Sequence, residues 1–492
     1  MIELVVIGDS LSQGFQSGAI HNTHLSYPSL LAHAMGLGHN FFRVPDFSGK
    51  GGLPLNIEDL LRRLADSYGE KINFLEFVPA IATGRGMMDE AEDYWERGPG
   101  SRASDTGPLH HNLAVWGFEI GDADTLSEAI CRQNIPTPSD EFFSQIPERA
   151  MYRTARRTLN PAFSGPLEDL TQVGVAQQLA TEGGGIRNLI LWLGGNNCLG
   201  TVTDLEIRWS EDADLNRLAH ERKSNLWRPE HFATAYRRVA DKTIAVNAEH
   251  VFVGTIPHVT IPPVSRGISV RNPERDEAGY YEYYTHFWVW DADFKKNPGQ
   301  YHHLTREEAR LIDQTIDAYN DTIRQEAQDR GWQVIELANV LDALAFRRQG
   351  GNTRYQFPTK FIQALQQDND LAYLVSGDPP QVNLDTRYLR VDPNNAGQIR
   401  AGGIFSLDGV HPTTLGYGIV AYEVLQVMRN AWGSQGSADQ PPPGWWDNII
   451  THDRLVREPP ENLRSLRELL GFLSGRGFFR DLFKVLGGNI LR

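Results

Sequence analysis

Short apolar runs that break off in glycine or turn residues, separated by longer stretches of helical periodicity, constrain this chain more than any other feature. Leu4–Ile7 is the first such run and stops at Gly8-Asp9-Ser10; others are Asn112–Val115, Leu189–Leu193, Val251–Val253 and Trp332–Ile335. An apolar, β-branched run ending in a tight turn predicts a buried strand that delivers the turn to a sheet edge. Between 307 and 330, Leu311, Ile312, Ile316, Tyr319 and Ile323 fall near a 3.6-residue period, which predicts a long amphipathic helix. Strand alternating with helix predicts an α/β sandwich with a mostly parallel sheet.

A chain of 492 residues allows roughly three domains at about 150 residues each, but the runs above are spread as they would be in one α/β domain carrying insertions. The stretches 80–108, 203–230, 265–300 and 346–400 are too long for ordinary connections and read as those insertions, within a domain spanning 1–432. Residues 433–444, Gly-Ser-Gln-Gly-Ser-Ala-Asp-Gln-Pro-Pro-Pro-Gly, have linker composition. A helical tail, 445–492, is expected to follow. Its stripe of Leu463, Leu466, Leu470 and Leu473, with Phe479, Leu482, Phe483 and Leu486 beyond, is of the kind that docks on its own protein; its arginines would also suit a membrane surface.

Charge and cysteine content narrow the function classes. The formal charge of −15 excludes a nucleic-acid binder driven by net charge. Cys131 and Cys198 are the only cysteines, too few for a disulfide framework. Glu3 stands where a secretion signal needs positive charge, the first apolar run ends at Gly8, and no run reaches the roughly 18 apolar residues of a membrane span. The expectation is a cytoplasmic protein without a transmembrane segment.

A serine on a strand-to-helix turn presents its hydroxyl clear of the sheet edge, where a nucleophile must be, and Ser10 has that placement. Far along the chain, Asp408-Gly409-Val410-His411-Pro412-Thr413 leads into an amphipathic helix, with Pro412 suited to its first turn. Three-residue spacing lets Asp408 hold one nitrogen of His411 while the other faces a serine; among the fifteen histidines, His411 alone has an acid three positions before it. Acyl transfer also needs donors for a developing oxyanion. Gly117, after the run at 112–115, lets a backbone N–H approach without a Cβ in the way, and Asn196, in Gly194-Gly195-Asn196-Asn197, offers a side-chain amide.

These residues resemble the GDSL, or SGNH, hydrolase superfamily, whose four blocks carry Ser, Gly, Asn and His in that order. All four occur here in order, scattered over residues 2 to 432. Ser26–Leu31 and Gly254–Thr260 are smaller similarities to bacterial lipase-like members. The resemblance implies a three-layer α/β/α, flavodoxin-like hydrolase domain. It makes Ser10 the nucleophile and one backbone donor, Gly117 and Asn196 the other oxyanion donors, His411 the base and Asp408 its orienter. One position departs from the pattern: Asn197 stands where the third block usually has an aspartate that anchors a loop. Gly49, Gly51 and Gly52, after the strand-like Phe41–Val44, are an alternative second block.

Competing signatures are absent. There is no Gly-x-Ser-x-Gly elbow, no His-Glu-x-x-His, no Cys-x-x-Cys and no Gly-x-x-x-x-Gly-Lys loop. The doublets His110-His111 and His302-His303 lack partners at metal-ligand spacing, so neither a metal nor a cofactor is expected. The aromatic block Tyr280–Trp290 fits packing of an insertion, or else a lid or an acyl- or sugar-binding wall. The expected activity is hydrolysis of a small-molecule, lipid or glycan ester through an acyl-enzyme. Acyl transfer on the same site, glycan O-deacetylation and a non-catalytic binding module are the alternatives.

Overall fold

The computed structural model describes residues 1–69, 76–104, 107–138, 147–351, 353–387, 390–391, 399–400, 403–433, 441–460 and 462–463. The strands that matter for the site are β1 (Ile2–Gly8), β2 (Ile186–Trp192), β3 (His250–Gly254), β4 (Ser265–Ile268), β5 (Tyr283–His286), β6 (Leu304–Thr305) and β7 (Gln333–Ile335). The helices are α1 (Ser10–Gln13), α2 (Tyr27–Ala34), α3 (Gln172–Gly183), α4 (Asn196–Asp204), α5 (Pro229–Ile244), α6 (Arg306–Arg330), α7 (Leu337–Leu344), α8 (Thr414–Ala431), α9 (Trp445–His452) and α10 (Arg454–Arg457). The fold is mixed α/β. Its centre is a four-stranded sheet of order β1-β2-β3-β7, parallel throughout.

Side chains alternate across a strand, and here each set enters its own core. Val5, Ile7, Leu189, Leu191 and Val253 join one hydrophobic cluster with residues of α3, α5 and α6. Leu4, Val6, Ile190, Trp192, Phe252 and Ile335 join a second with residues of α2, α7, α8 and α9. That is why the strands read as unbroken apolar runs: neither face meets water.

The run at 112–115 is not a full strand. It makes one parallel bridge, Asn112 to Val6, and its backbone follows the free edge of β1 through Leu113 N–H to Val6 O (2.8 Å) and Val115 N–H to Gly8 O (3.1 Å). The Gln172 side chain explains the break, because its Nε2 donates to both Gly8 O and Leu113 O and so stands between the two backbones. Phe41–Val44 is likewise turn and loop rather than strand. With 112–115 counted, the chain first flanks β1 on one side and then crosses to β2 on the other. In open α/β sheets such a reversal leaves a crevice at the strands' carboxyl ends.

The helix expected at 307–330 is α6, one residue longer; Ile312, Ile316, Tyr319 and Ile323 are fully buried, whereas Leu311 is 40% exposed. Of the expected insertions, 80–108 is largely the end of a helix, Phe77–Glu96, and 265–300 carries β4 and β5 of an antiparallel sheet that β6 completes just beyond it. Pro412 stands outside α8, not in its first turn, because Thr413 caps that helix by accepting from Gly416 N–H. Cys131 and Cys198 are buried free thiols. Among the described residues no helix is long and apolar enough to cross a membrane.

Past residue 440, α9 lays Trp445, Trp446, Ile449 and Ile450 into the second core, and Leu463 reaches the first. The remaining apolar residues of the tail stripe, Leu466 to Leu486, lie outside the described residues, as do 434–440 of the linker. Asp453 is fully buried. Its carboxylate caps α10 through Val456 N–H (2.9 Å) and reaches back to α8, accepting from Leu415 N–H at 2.7 Å. Replacing Asp453 with Ala leaves both amides without this acceptor and is expected to cost about 1–2 kcal/mol. Trp446→Ala, which empties a large site in the second core, should cost about 3–5 kcal/mol. Chemical denaturation of the two variants checks the order; a Trp446→Ala midpoint equal to the parent's would contradict this packing.

Candidate active site

Where β1 ends, the backbone has little freedom. A Cβ on Gly8 would lie 2.3 Å from Ser12 Oγ, so the strand can turn only on glycine. Asp9 then caps α1 by accepting from Leu11 N–H (3.1 Å), and the helix is a single turn ending at Gly14 in the left-handed region (φ 90°). Ser10 is therefore the first helical residue, and among the described residues no acceptor takes its backbone N–H.

His411 bridges Ser10 and Asp408. Its Nε2 is 2.9 Å from Ser10 Oγ and its Nδ1 is 3.1 Å from Asp408 Oδ2. All three residues are buried, at 6%, 2% and 0% exposure for Ser10, His411 and Asp408. Burial alone would raise the Asp408 carboxyl, but the His411 charge and bonds from His411 and the Val410 amide outweigh it and hold the group below the usual range. An ionised carboxylate only accepts hydrogen bonds, so the proton sits on Nδ1 and Nε2 is left to accept from the Ser10 hydroxyl. Asp408 is itself fixed by three backbone amides: Val410 and His411 (2.8 Å each) on Oδ1, and Gly18 (3.0 Å) on Oδ2. The Gly18 amide can reach it because that residue sits at φ 86°, where a Cβ would meet Leu55 O at 2.6 Å.

Of the other two expected residues, Asn196 lies beside this trio, whereas Gly117 does not line the same cavity and is joined to it through Asn196 and Phe118. Asn196 begins α4, lines the cavity that holds Ser10 and His411, and donates through Nδ2 to Phe118 O (2.9 Å), which leaves one amide hydrogen uncommitted. That bond ties it to the turn containing Gly117, whose φ is 80° and whose N–H meets no acceptor among the described residues. A side chain at Gly117 would strike Met151 Sδ at 2.9 Å. Asn197 is fully buried and accepts from Ile120 N–H (3.0 Å), so it anchors the same loop with an oxygen that aspartate would also offer. Gly49, Gly51 and Gly52 lie elsewhere, in a turn packed against Ile20 and Tyr94.

The cavity at Ser10 has a volume of about 110 Å³. None of the aromatic block Tyr280–Trp290 lines it: Tyr284, Phe287 and Trp288 are buried in the first core, and Tyr281, Tyr284 and Phe287 border a different cavity of about 300 Å³ with Arg266, Arg347 and Arg348. The histidine doublets are also elsewhere. His110 Nδ1 faces Thr158 O, His111 Nδ1 accepts from Arg43 N–H, and His303 Nδ1 faces Tyr301 O. Among the described residues no group of three or more His, Cys, Asp or Glu is arranged to hold a metal.

Several residues that support this site escape a motif reading. Gln13 is fully buried and its Oε1 accepts from Trp116 N–H (2.8 Å), while Gln172 Nε2 donates to both Gly8 O and Leu113 O (2.9 and 2.8 Å). Asn112 Nδ2 donates to Ser12 O (2.8 Å). These buried amides fasten the Ser10 turn to the Gly117 segment, and their only signal in the sequence is a long polar side chain beside apolar runs. His258, in the cavity wall, is gripped by Asp342 and Asp317 at 3.1 Å each. Burial opposes its charge, but the Asp342 bond and the charges of Asp313 and Asp342 push its pKa up to about 9.

No family model matches this chain, and no curated protein matches it.

Asp9 carries a pH dependence of its own. Burial pushes its carboxyl up to about 7 from an ordinary 3.8, against the opposing pull of Leu11 N–H and His411. Between those values the folded chain keeps a proton that the unfolded chain has released, so this group's contribution to stability falls as pH rises from about 4 to about 7. Asp9→Asn retains an acceptor for Leu11 and removes the titration. The variant's melting temperature is expected to gain on the parent's across that window, whereas parallel curves would place the Asp9 carboxyl in its ordinary range.

Proposed function

We propose that this protein is a serine hydrolase of carboxylic esters, built as a three-layer α/β/α, flavodoxin-like domain of the GDSL or SGNH kind. The observation that carries the reading is the chain of contacts from Asp408 through His411 to Ser10, 3.1 and 2.9 Å long, with the Ser10 and Gly117 amides turned to no acceptor among the described residues. The strand order, with Ser10 at the reversal beside β1, supports the flavodoxin-like topology.

In this mechanism Ser10 Oγ attacks the ester carbonyl while His411 Nε2 takes its proton. Asp408 stabilises the resulting imidazolium through Nδ1. The tetrahedral oxyanion is held by Ser10 N–H, Gly117 N–H and the free amide hydrogen of Asn196, donors fixed before the reaction starts, so that little reorganisation is needed as charge develops. Collapse breaks the bond to the alcohol, which leaves with the proton from His411. Water, deprotonated by the same Nε2, then attacks the acyl-Ser10 ester, and collapse breaks the bond to Ser10 Oγ, which takes the proton back from His411 as the acid is released. An acceptor alcohol could enter at that step in place of water, and product partition with and without added alcohol separates the two outcomes.

Ser10→Ala is expected to lower kcat for p-nitrophenyl ester hydrolysis by up to about 10⁶-fold, to the limit set by residual oxyanion stabilisation, and His411→Ala by a comparable factor. A fluorophosphonate should label the parent and not Ser10→Ala. Undiminished hydrolysis by Ser10→Ala would remove this reading. A parent that binds esters without turnover or labelling would make the protein a binding module.

A further inference from the structure

Resting on the ester-hydrolase reading and deepening it, we infer that the cavity beside Ser10 is an acyl pocket for aliphatic chains of about four to six carbons. Its walls are apolar side chains from three directions. Val340, Leu341 and Leu344 come from α7, Ile419 and Val420 from α8, and Ile404 from the segment before His411. Leu11, beside the nucleophile, Val340, Leu341 and Val420 are only half-buried, so they keep apolar surface that an aliphatic chain would cover. Both wall helices pack on the second core, which makes the pocket a built feature rather than a gap between loose segments.

The polar atoms on the same wall are nearly all committed. His258 holds Asp342 and Asp317 with its two nitrogens, the Trp192 indole N–H donates to Thr255 O at 3.1 Å, and the Asp9 carboxylate receives Leu11 N–H. Ser10, His411 and Asn196 belong to the reacting centre. Sugar hydroxyls or a charged group placed against these apolar walls would lose water and gain few partners, a penalty that selects against glycan acetates seated there. The volume sets the length. A cavity of about 150 Å³ takes a six-carbon ring, so about 110 Å³ accommodates in proportion roughly four carbons beyond the carbonyl.

The test uses the full chain and p-nitrophenyl acetate, butyrate, hexanoate, octanoate and dodecanoate. For the parent, kcat/KM is expected to rise about fourfold per methylene up to butyrate or hexanoate, then to fall by dodecanoate. Val340→Phe fills the pocket and should cut the hexanoate-to-acetate ratio by about tenfold or more. Leu341→Ala opens it and should move the optimum to longer esters. Ratios within one variant are insensitive to how much protein folds. An optimum at acetate, or one that neither variant moves, overturns the pocket. If Ser10 is labelled by a fluorophosphonate while the length profile is flat or no ester in the series is cleaved, the pocket falls and the nucleophile stands. If Ser10 is neither labelled nor active on any ester, the hydrolase reading itself falls.

Discussion

Everything around Ser10 depends on the reversal of strand order at β1. A parallel strand whose two neighbours are reached by connections that run to opposite sides of it leaves its carboxyl end uncovered, because those connections diverge there. The turn after β1 fills that opening with Ser10. The segment 112–117 follows β1 on one side and the turn after β2 lies on the other, so Asn196 arrives beside the serine, with the Gly117 turn tied to it through Phe118 O, as a product of topology. Only His411 and Asp408 come from a distant part of the chain. They are secured by a carboxylate shared between their own loop and the Gly18 amide, 390 positions away.

Parts of this arrangement were legible in the sequence and parts were not, for physical reasons. The strands β1, β2 and β3 and the helix α6 could be read because burial on both faces, or along one helical stripe, leaves a compositional trace. The Asp408–His411 pair could be read because its partners are three residues apart on one turn. The 112–115 run misled because a glutamine distant in the sequence, Gln172, takes the Leu113 carbonyl that a ladder to β1 would use, which local composition does not register. The aromatic block was conspicuous in the sequence, yet it packs away from Ser10. The acyl-sized cavity, by contrast, is assembled from leucines, valines and isoleucines of α7 and α8 that look like ordinary core.

Buried amides do work here that hydrophobic packing cannot. Gln13, Asn112 and Gln172 each bridge the Ser10 turn, or the strand leading to it, to the 112–117 segment, using donors and acceptors that would otherwise be orphaned at the sheet edge. Because each bond fixes direction as well as distance, the two backbone amides beside Ser10 are oriented by a network rather than by a single contact. Asn197 extends it to the loop after Gly117. Gly117 is thus held from both sides of its turn.

The bond from Asp453 to Leu415 N–H has a consequence for how the protein is made. During synthesis the chain emerges from residue 1 onward, so β1 and Ser10 appear hundreds of residues before their partner histidine. His411 arrives only three positions before α8, and the first turn of α8 gains this side-chain acceptor only once the chain has been extended to Asp453. Full ordering of the site is therefore a late event in the life of the nascent polypeptide, and a chain interrupted between 432 and 453 would carry every reacting group while lacking the acceptor that completes the helix behind them.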